Sequence, residues 1–249
     1  VQERYRLKYL IFSDVHGNLE ALEAVLARGA TIGVDFYVCL GDIIGYGANP
    51  NECIETVRGL SSYACVKGNH DAAVIDPRER SFFHSVALEG VLYTEATLTA
   101  ENREFIESLP YVYCRGELFI AVHASPYRPE AWEYVLDQGG AKRAFGVMTH
   151  QVAFIGHSHT PVVFSNDGHA ERFLPGDRLK LAEGVKYVVN VGSVGQPRDG
   201  NPDASFVVFD DETLSVEIKR VEYDRKSAAE KILKAGLPPV LAERLLVGY

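Results

Sequence analysis

The sequence predicts a mixed α/β fold built on two sheets. Two observations predict it. Strand and helix patterns alternate over the first 70 residues, and most of the last third reads as strands joined by tight turns. A βαβαβ order favours a parallel sheet, whereas hairpins make antiparallel pairs. No Pro/Gly/Ser-rich linker, low-complexity tract or internal repeat divides the 249 residues, so a single domain spanning 1–249 is expected.

Taken in order, a strand over 7–13 leads to a helix over 19–28 that Gly29 ends. A strand over 36–40 leads to a helix over 50–59, with Asn49 as cap and Pro50 at its first position. A strand over 63–67 follows, and residues 78–109 read as helical with few turn signals. "YVYCRGELFIAVHAS" reads as a hairpin turning at Arg115-Gly116. A helical or irregular stretch over 129–148 precedes a strand over 152–156. "VVFSNDGHAERF" carries an Asn-Asp-Gly turn, and "YVVNVG", "SFVVFDD" and "LSVEIKRVEY" read as strands. Helices after Asp224 and over 238–247 close the chain.

Composition narrows the function classes. A net charge of −9 argues against a general electrostatic hold on nucleic acid or an anionic membrane, though it permits a local positive site made by bound metal. No apolar run approaches the roughly 18 residues of a membrane span. The apolar part of "VQERYRLKYLIF" is too short for a signal peptide. Cys39, Cys53, Cys65 and Cys114 form no C-x-x-C pair and read as buried free thiols of a reducing compartment, the cytoplasm.

The chemistry sits at the strand ends. In "IFSDVHGNLEAL", Asn18 can cap a helix and Gly17 can supply a left-handed φ, which leaves Asp14 and His16 to explain. If the segment is extended, residues i and i+2 share a face, so this carboxylate and imidazole could chelate one cation. The arrangement repeats: Asp42 ends "FYVCLGD", Asn69, His70 and Asp71 end "YACVKGNHD", His123 follows "LFIAV", and His157 and His159 end "VAFIGHSH". Five of the eight histidines fall at such ends, the edge of an α/β sheet where ligands bind. His84, His150 and His169 read as ordinary surface or packing residues. Nitrogen and oxygen donors without thiolate suit Mn, Fe, Zn, Co or Ni. Two carboxylates, four imidazoles and a carboxamide are too many for one tetrahedral zinc and about right for two ions sharing a carboxylate.

The motifs D-x-H-G-N, G-D, G-N-H-D, a later strand-end His and G-H-S-H-T-P, in that order over residues 14–161, resemble the calcineurin-like metallophosphoesterase superfamily. "NVGSVGQPRDGNP" resembles a loop of its small bacterial and archaeal phosphodiesterase branch. The resemblance implies two mixed β-sheets packed face to face with helices on both outer sides, a four-layer α-β-β-α sandwich. It implies one metal held by Asp14, His16, Asp42 and His159, and another by Asp42, Asn69, His123 and His157, with Asp42 bridging. Two such ions about 3.5–4 Å apart activate a bridging hydroxide and clamp phosphate for in-line attack. By the same resemblance His70 protonates the leaving oxygen or stabilises developing charge. Asp71 either orients His70 or forms the turn.

Tyr46 and Arg198 follow strand ends and are candidate substrate contacts. Phe82, Phe83, Tyr127, Trp132 and Tyr134 lie between the motifs, where they fit either a lid over a nucleoside or helical packing. The expected reaction is hydrolysis of a small phosphate ester, a nucleotide among the candidates, with a phosphodiester first. The serine/threonine phosphatase branch carries an Asp and an Arg in G-D-x-x-D-R-G, where this chain has Gly45 and Tyr46. The alternatives are a phosphomonoesterase, either serine/threonine phosphatase-like or a dinucleoside polyphosphate hydrolase, and a non-catalytic scaffold. No signature position is missing, as it would usually be in a scaffold.

Overall fold

The computed structural model describes residues 6–249, apart from the Phe82 side chain, so the first residues of the N-terminal stretch and that one lid candidate lie outside the described set. The first half contains β1 (Lys8–Phe12), α1 (Leu19–Ile32), β2 (Phe36–Cys39), α2 (Pro50–Arg58), β3 (Tyr63–Cys65), α3 (Asn69–Ile75), α4 (Ser85–Thr97), α5 (Ala100–Ser108), β4 (Val112–Arg115) and β5 (Phe119–Val122). The second half adds α6 (Gln138–Val147), β6 (Val152–Ile155), β7 (Val162–Ser165), β8 (Ala170–Arg172), β9 (Arg178–Lys180), β10 (Tyr187–Asn190), β11 (Ala204–Asp210), β12 (Ser215–Val221), α7 (Arg225–Lys234) and α8 (Pro239–Val247). Short 3-10 turns occupy Pro77–Phe82 and Pro129–Ala131.

The strands form two six-stranded sheets, ordered β3-β2-β1-β11-β12-β9 and β4-β5-β6-β10-β7-β8. Each is mixed: β1, β2 and β3 run parallel, as do β5, β6 and β10, and the hairpin strands flank them antiparallel. Side chains alternate along β1 and so serve two cores. Tyr9 and Ile11 meet Phe119, Phe154 and Val189 of the second sheet between the layers, with the Tyr9 and Phe119 rings edge-on at 5.3 Å. Leu10 and Phe12 face outward onto Leu22 and Val25 of α1. On the far side, α6 covers Val122, Ala153 and Val188. The result is the four-layer sandwich, with the C-terminal ends of both parallel triplets at one edge.

Local details correct the sequence reading. Gly29 does not end α1; the helix runs on to Ile32, and Gly33 caps it with φ 73°. Gly29 is needed for close approach instead, since a Cβ there would fall 2.5 Å from Leu10 Cδ1 on β1. Asn49 precedes α2 but its side chain makes no capping bond. The helical stretch 78–109 is broken where His84 and Thr99 cap α4 and α5, a cap being the end of one element and the start of the next. Strand β9 was not legible, being three residues that pair only with Ser215–Glu217. Cys114 is exposed on edge strand β4, while the other three cysteines are buried thiols.

Candidate metal centre

The loops that leave β1, β2, β3, β5 and β6 are bound to one another by their backbones. Asp14 N–H donates to Gly41 O at 3.0 Å, His16 N–H to Asp42 O at 2.9 Å, and Gly156 N–H to His123 O at 2.8 Å. The chain turns sharply to do this. Among the described residues, eight non-glycines have φ near +50° to +66°, and five of them are Asp14, His16, Asp42, His157 and His159. The paired donors at i and i+2 therefore do not share the face of a pleated strand, as the sequence reading assumed. Strands β1 and β6 have already ended, and left-handed turns aim both members inward.

All seven predicted ligands come together, buried or nearly so. His16 Nε2 lies 3.1 Å from His159 Nε2, 3.8 Å from Asp14 Oδ1 and 3.7 Å from Asp42 Oδ2. His123 Nε2 lies 3.0 Å from Asn69 Oδ1, 3.2 Å from His157 Nδ1 and 3.4 Å from Asp42 Oδ2. Asp14, His16 and His159 form one potential cation-binding group, and Asp14, Asp42 and His123 another. His70 forms a third with His16 and Asp42. A buried carboxylate on either side of the group thus offers one free oxygen. The second oxygen of Asp14 accepts from His157 N–H at 3.0 Å, and that of Asp42 from His70 N–H at 2.8 Å.

The donor set fits a cation. A carbonyl can only accept, so the ring nitrogens facing Ile44 O (3.2 Å from His16), Leu40 O (2.9 Å from His123) and Gln196 O (2.5 Å from His159) must carry N–H. That fixes Nε2 as the nitrogen turned to the centre, where His16 and His159 present lone pairs to each other. Asp14 Oδ1, facing the same space, has no hydrogen-bond partner. Facing acceptors with an orphaned carboxylate oxygen are stabilised by positive charge between them.

Electrostatics agree. Burial pushes His16 well down, and burial with the Arg198 guanidinium lowers His159. Burial and the His123 imidazole take His157 down to about 3. These rings are neutral ligands. Burial opposes charge on Asp14 and Asp42 as well, but the His159 and His123 imidazoles respectively hold them below the ordinary carboxylate range. His123 differs: despite burial, the Asp42 carboxylate raises it to about 10. Burial pushes His70 down to about 4, with Arg198 adding to it against Asp42.

Asp71 does not orient His70. It accepts backbone N–H groups from Asp42 (2.8 Å), Gly68 (2.9 Å), Ile43 (3.1 Å) and Ile44 (3.4 Å), which is the turn role. His70 is instead held by packing, its ring against Tyr46, His16 and Phe83 at centroid distances of 4.5, 4.7 and 4.7 Å. Asn18 caps α1 through Ala21 N–H and donates to Gly195 O, so it ties the loop after β10 to the first motif. Tyr46 and Arg198 meet: Arg198 Nη2 donates to Tyr46 Oη at 3.3 Å and to Gln196 Oε1 at 2.8 Å, and Nε donates to Gln196 Oε1 at 3.3 Å. The Arg198 guanidinium thus puts a positive charge beside Tyr46, although no arginine stands in the G-D motif itself. Gln196 escaped the sequence reading because its part is played by a backbone carbonyl and by two bonds that its side-chain oxygen accepts from Arg198. Of the lid candidates, Trp132 sets its ring edge-on to His123 at 5.9 Å and Tyr134 stacks on His157 at 4.0 Å.

No helix among the described residues is long and apolar enough to cross a membrane. Residues 7–213 match the calcineurin-like phosphoesterase superfamily domain. An uncharacterized protein of Methanocaldococcus jannaschii is 43% identical over 242 residues, covering 96% of this chain and 97% of that one. The phosphodiesterase YfcE of Escherichia coli is 25% identical over 210 residues, covering 84% and 91%. The crystal structure of a metallophosphoesterase from Sphaerobacter thermophilus superposes with a TM-score of 0.89 at 38% identity, covering 98% of this chain and 100% of that one. The chain belongs to the calcineurin-like phosphoesterase superfamily and is a metal-dependent phosphoesterase.

Proposed function

We propose that the chain acts as one domain, residues 1–249, that holds two divalent cations and hydrolyses phosphodiesters. Asp14, His16, Asp42 and His159 would hold one ion, and Asp42, Asn69, His123 and His157 the other. The observation that carries this reading is the position of Asp42 Oδ2, 3.7 Å from His16 Nε2 and 3.4 Å from His123 Nε2, one ring of each set. Mn is one candidate among Mn, Fe, Zn, Co and Ni, all suited to nitrogen and oxygen donors. When bound, the pair of cations supplies an activated water nucleophile and neutralises phosphate charge.

The chain's own residues do the rest. Asp71 fixes the turn that carries Asp42, and three carbonyls set the tautomers of His16, His123 and His159. His70, packed beside His16 and Tyr46 and kept neutral by burial, would hydrogen-bond the departing ester oxygen through its ring N–H and stabilise the charge developing there. Four unpaired cysteines suit a reducing cytoplasm.

Arg198 decides between diester and monoester. Gripping the two charged oxygens of a monoester needs a free guanidinium fork. Here Nε and Nη2 are both turned to Gln196 Oε1, and Nη2 also to Tyr46. That leaves a poorer grip on a dianion and supports the diester reading, as does the 25% identical phosphodiesterase of Escherichia coli. The presence of any guanidinium here favours the monoesterase as the second reading. The test compares kcat/KM on bis-nitrophenyl and mono-nitrophenyl phosphate, with Mn²⁺ and with chelator. Diester preference that vanishes with chelator is expected. A monoester preference lost in Arg198→Ala would promote the second reading, and no metal-dependent turnover of either ester would leave a scaffold.

A further inference from the structure

The segment between β5 and α6 folds over the His123 and His157 side of the centre and is held there firmly. Its 3-10 turn, Pro129–Ala131, is bracketed by Arg128 at φ 53° and Trp132 at φ 56°, both in the left-handed region that bulky residues avoid. Trp132 Nε1 donates to Glu79 Oε2 at 3.1 Å, tying this strap to the turn at Pro77–Phe82. Two residues on, Tyr134 stacks its ring on His157 with 21° between the planes. One face of Tyr134 is thus occupied, yet the residue remains 49% exposed.

The hydroxyl is what stands out chemically. Tyr46 at the same centre has its phenol engaged by Arg198. Tyr134 Oη has no hydrogen-bond partner among the described residues, and its ring is seated on His157, whose backbone N–H binds the Asp14 carboxylate. Arg198 belongs to the opposite side: its N–H donates to His159 O, and its ring neighbour Tyr46 rests on His16. A phosphoryl group over the carboxylates would therefore have a guanidinium on one flank and a free phenol on the other.

We propose that Tyr134 is a substrate-binding residue whose phenol hydroxyl donates a hydrogen bond to the phosphoryl group of the ester, across from Arg198. The proposal rests on the phosphoester reading of this centre. A neutral donor to a charged oxygen contributes about tenfold or more in affinity. The ring has a separate part, covering His157, which Tyr134→Phe keeps and Tyr134→Ala removes.

The experiment uses the metal-loaded full chain and three readouts. Metal content reports on His157. Turnover of bis-nitrophenyl phosphate gives kcat and KM. Binding of inorganic phosphate is followed by the emission of Trp132, the single tryptophan of the chain, and needs no turnover. Tyr134→Phe should keep its metal, bind phosphate about tenfold more weakly and lose about tenfold in kcat/KM. Wild-type phosphate affinity in Tyr134→Phe, whatever Tyr134→Ala does, would overturn the proposal. Loss of metal from Tyr134→Phe would do the same, since the hydroxyl would then serve the metal site. If the wild type hydrolyses neither ester, the phosphate arm still decides the role of Tyr134 by itself.

Discussion

Replacing Gly68 by alanine tests whether the position of Asp42 governs the centre. Gly68 sits at φ −99° and ψ 175°, an extended conformation that alanine adopts freely, so any effect must come from space. A Cβ at this position would lie 2.1 Å from Asp42 Oδ1 and 2.4 Å from Asp42 N, against the 3.0 Å below which such contacts essentially do not occur. The carboxylate must withdraw by about 1 Å, giving up the 2.8 Å bond from His70 N–H and drawing Oδ2 away from His16 and His123. Losing a bond to a charged acceptor and crowding a packed loop should together cost about 2–4 kcal/mol, or roughly 5–12 °C in Tm for a chain of this size. A displacement of about 1 Å at the reacting centre should lower kcat/KM by about 10²-fold, or ~2.7 kcal/mol. Activity is measured at 25 °C, where the variant is still folded, alongside metal content and a melting curve. Gly146→Ala, where nothing lies within 4 Å of the new Cβ on α6, serves as the control and should match or exceed wild-type stability. A Gly68→Ala variant with wild-type metal content and kcat/KM within twofold would refute the reasoning.

Three further substitutions separate the roles around the centre. Asp42→Asn should lower occupancy of both ions and abolish turnover, whereas Asp14→Asn should mainly release one; elemental analysis finding two ions in Asp42→Asn would contradict the bridging assignment. His70→Ala should keep both ions yet lose about 10²–10⁴-fold in kcat, with a smaller loss when the leaving group is nitrophenolate; an ion lost would instead make His70 a ligand, in line with its proximity to His16 and Asp42. Asp71→Asn leaves one oxygen for four backbone N–H groups, so Tm should fall by roughly 5–12 °C, about 2–4 kcal/mol, and an unchanged Tm would show that the turn does not depend on this carboxylate.

Much of the fold was legible because burial leaves a periodic trace. Strand β1 is apolar on both faces, since Tyr9 and Ile11 serve the inter-sheet core and Leu10 and Phe12 serve α1. Element ends were less so. Gly29 reads locally as a helix stop, and only the path of α1 across Leu10 shows that the glycine is a contact. Strand β9 is too short to leave a readable trace, because Arg178 and Lys180 are exposed at the rim and only Leu179 packs against the inter-sheet core.

The donor set was legible for a different reason than the one the sequence suggested. Alternation in an extended strand was meant to put Asp14 beside His16, yet β1 has ended at Phe12, and both residues stand at positive φ. Isolated left-handed non-glycines each cost free energy of order 1–3 kcal/mol and persist only where surroundings over-determine them. Here the surroundings are other loops: Gly41, Asp42 and Ile43 carbonyls take the N–H groups of Asp14, His16 and Gly17, and Asp14 Oδ2 takes that of His157. These bonds join residues up to 143 positions apart, so no local pattern encodes them. The same holds for the carbonyls of Leu40, Ile44 and Gln196, which select the ring nitrogen each histidine offers and could have been supplied by any residue type. What a sequence records of such a centre is the identity of the donors. Their aim is a property of five loops bonded edge to edge, which is why crowding Gly68, which offers no donor to a cation, should impair the centre although every ligand is still present.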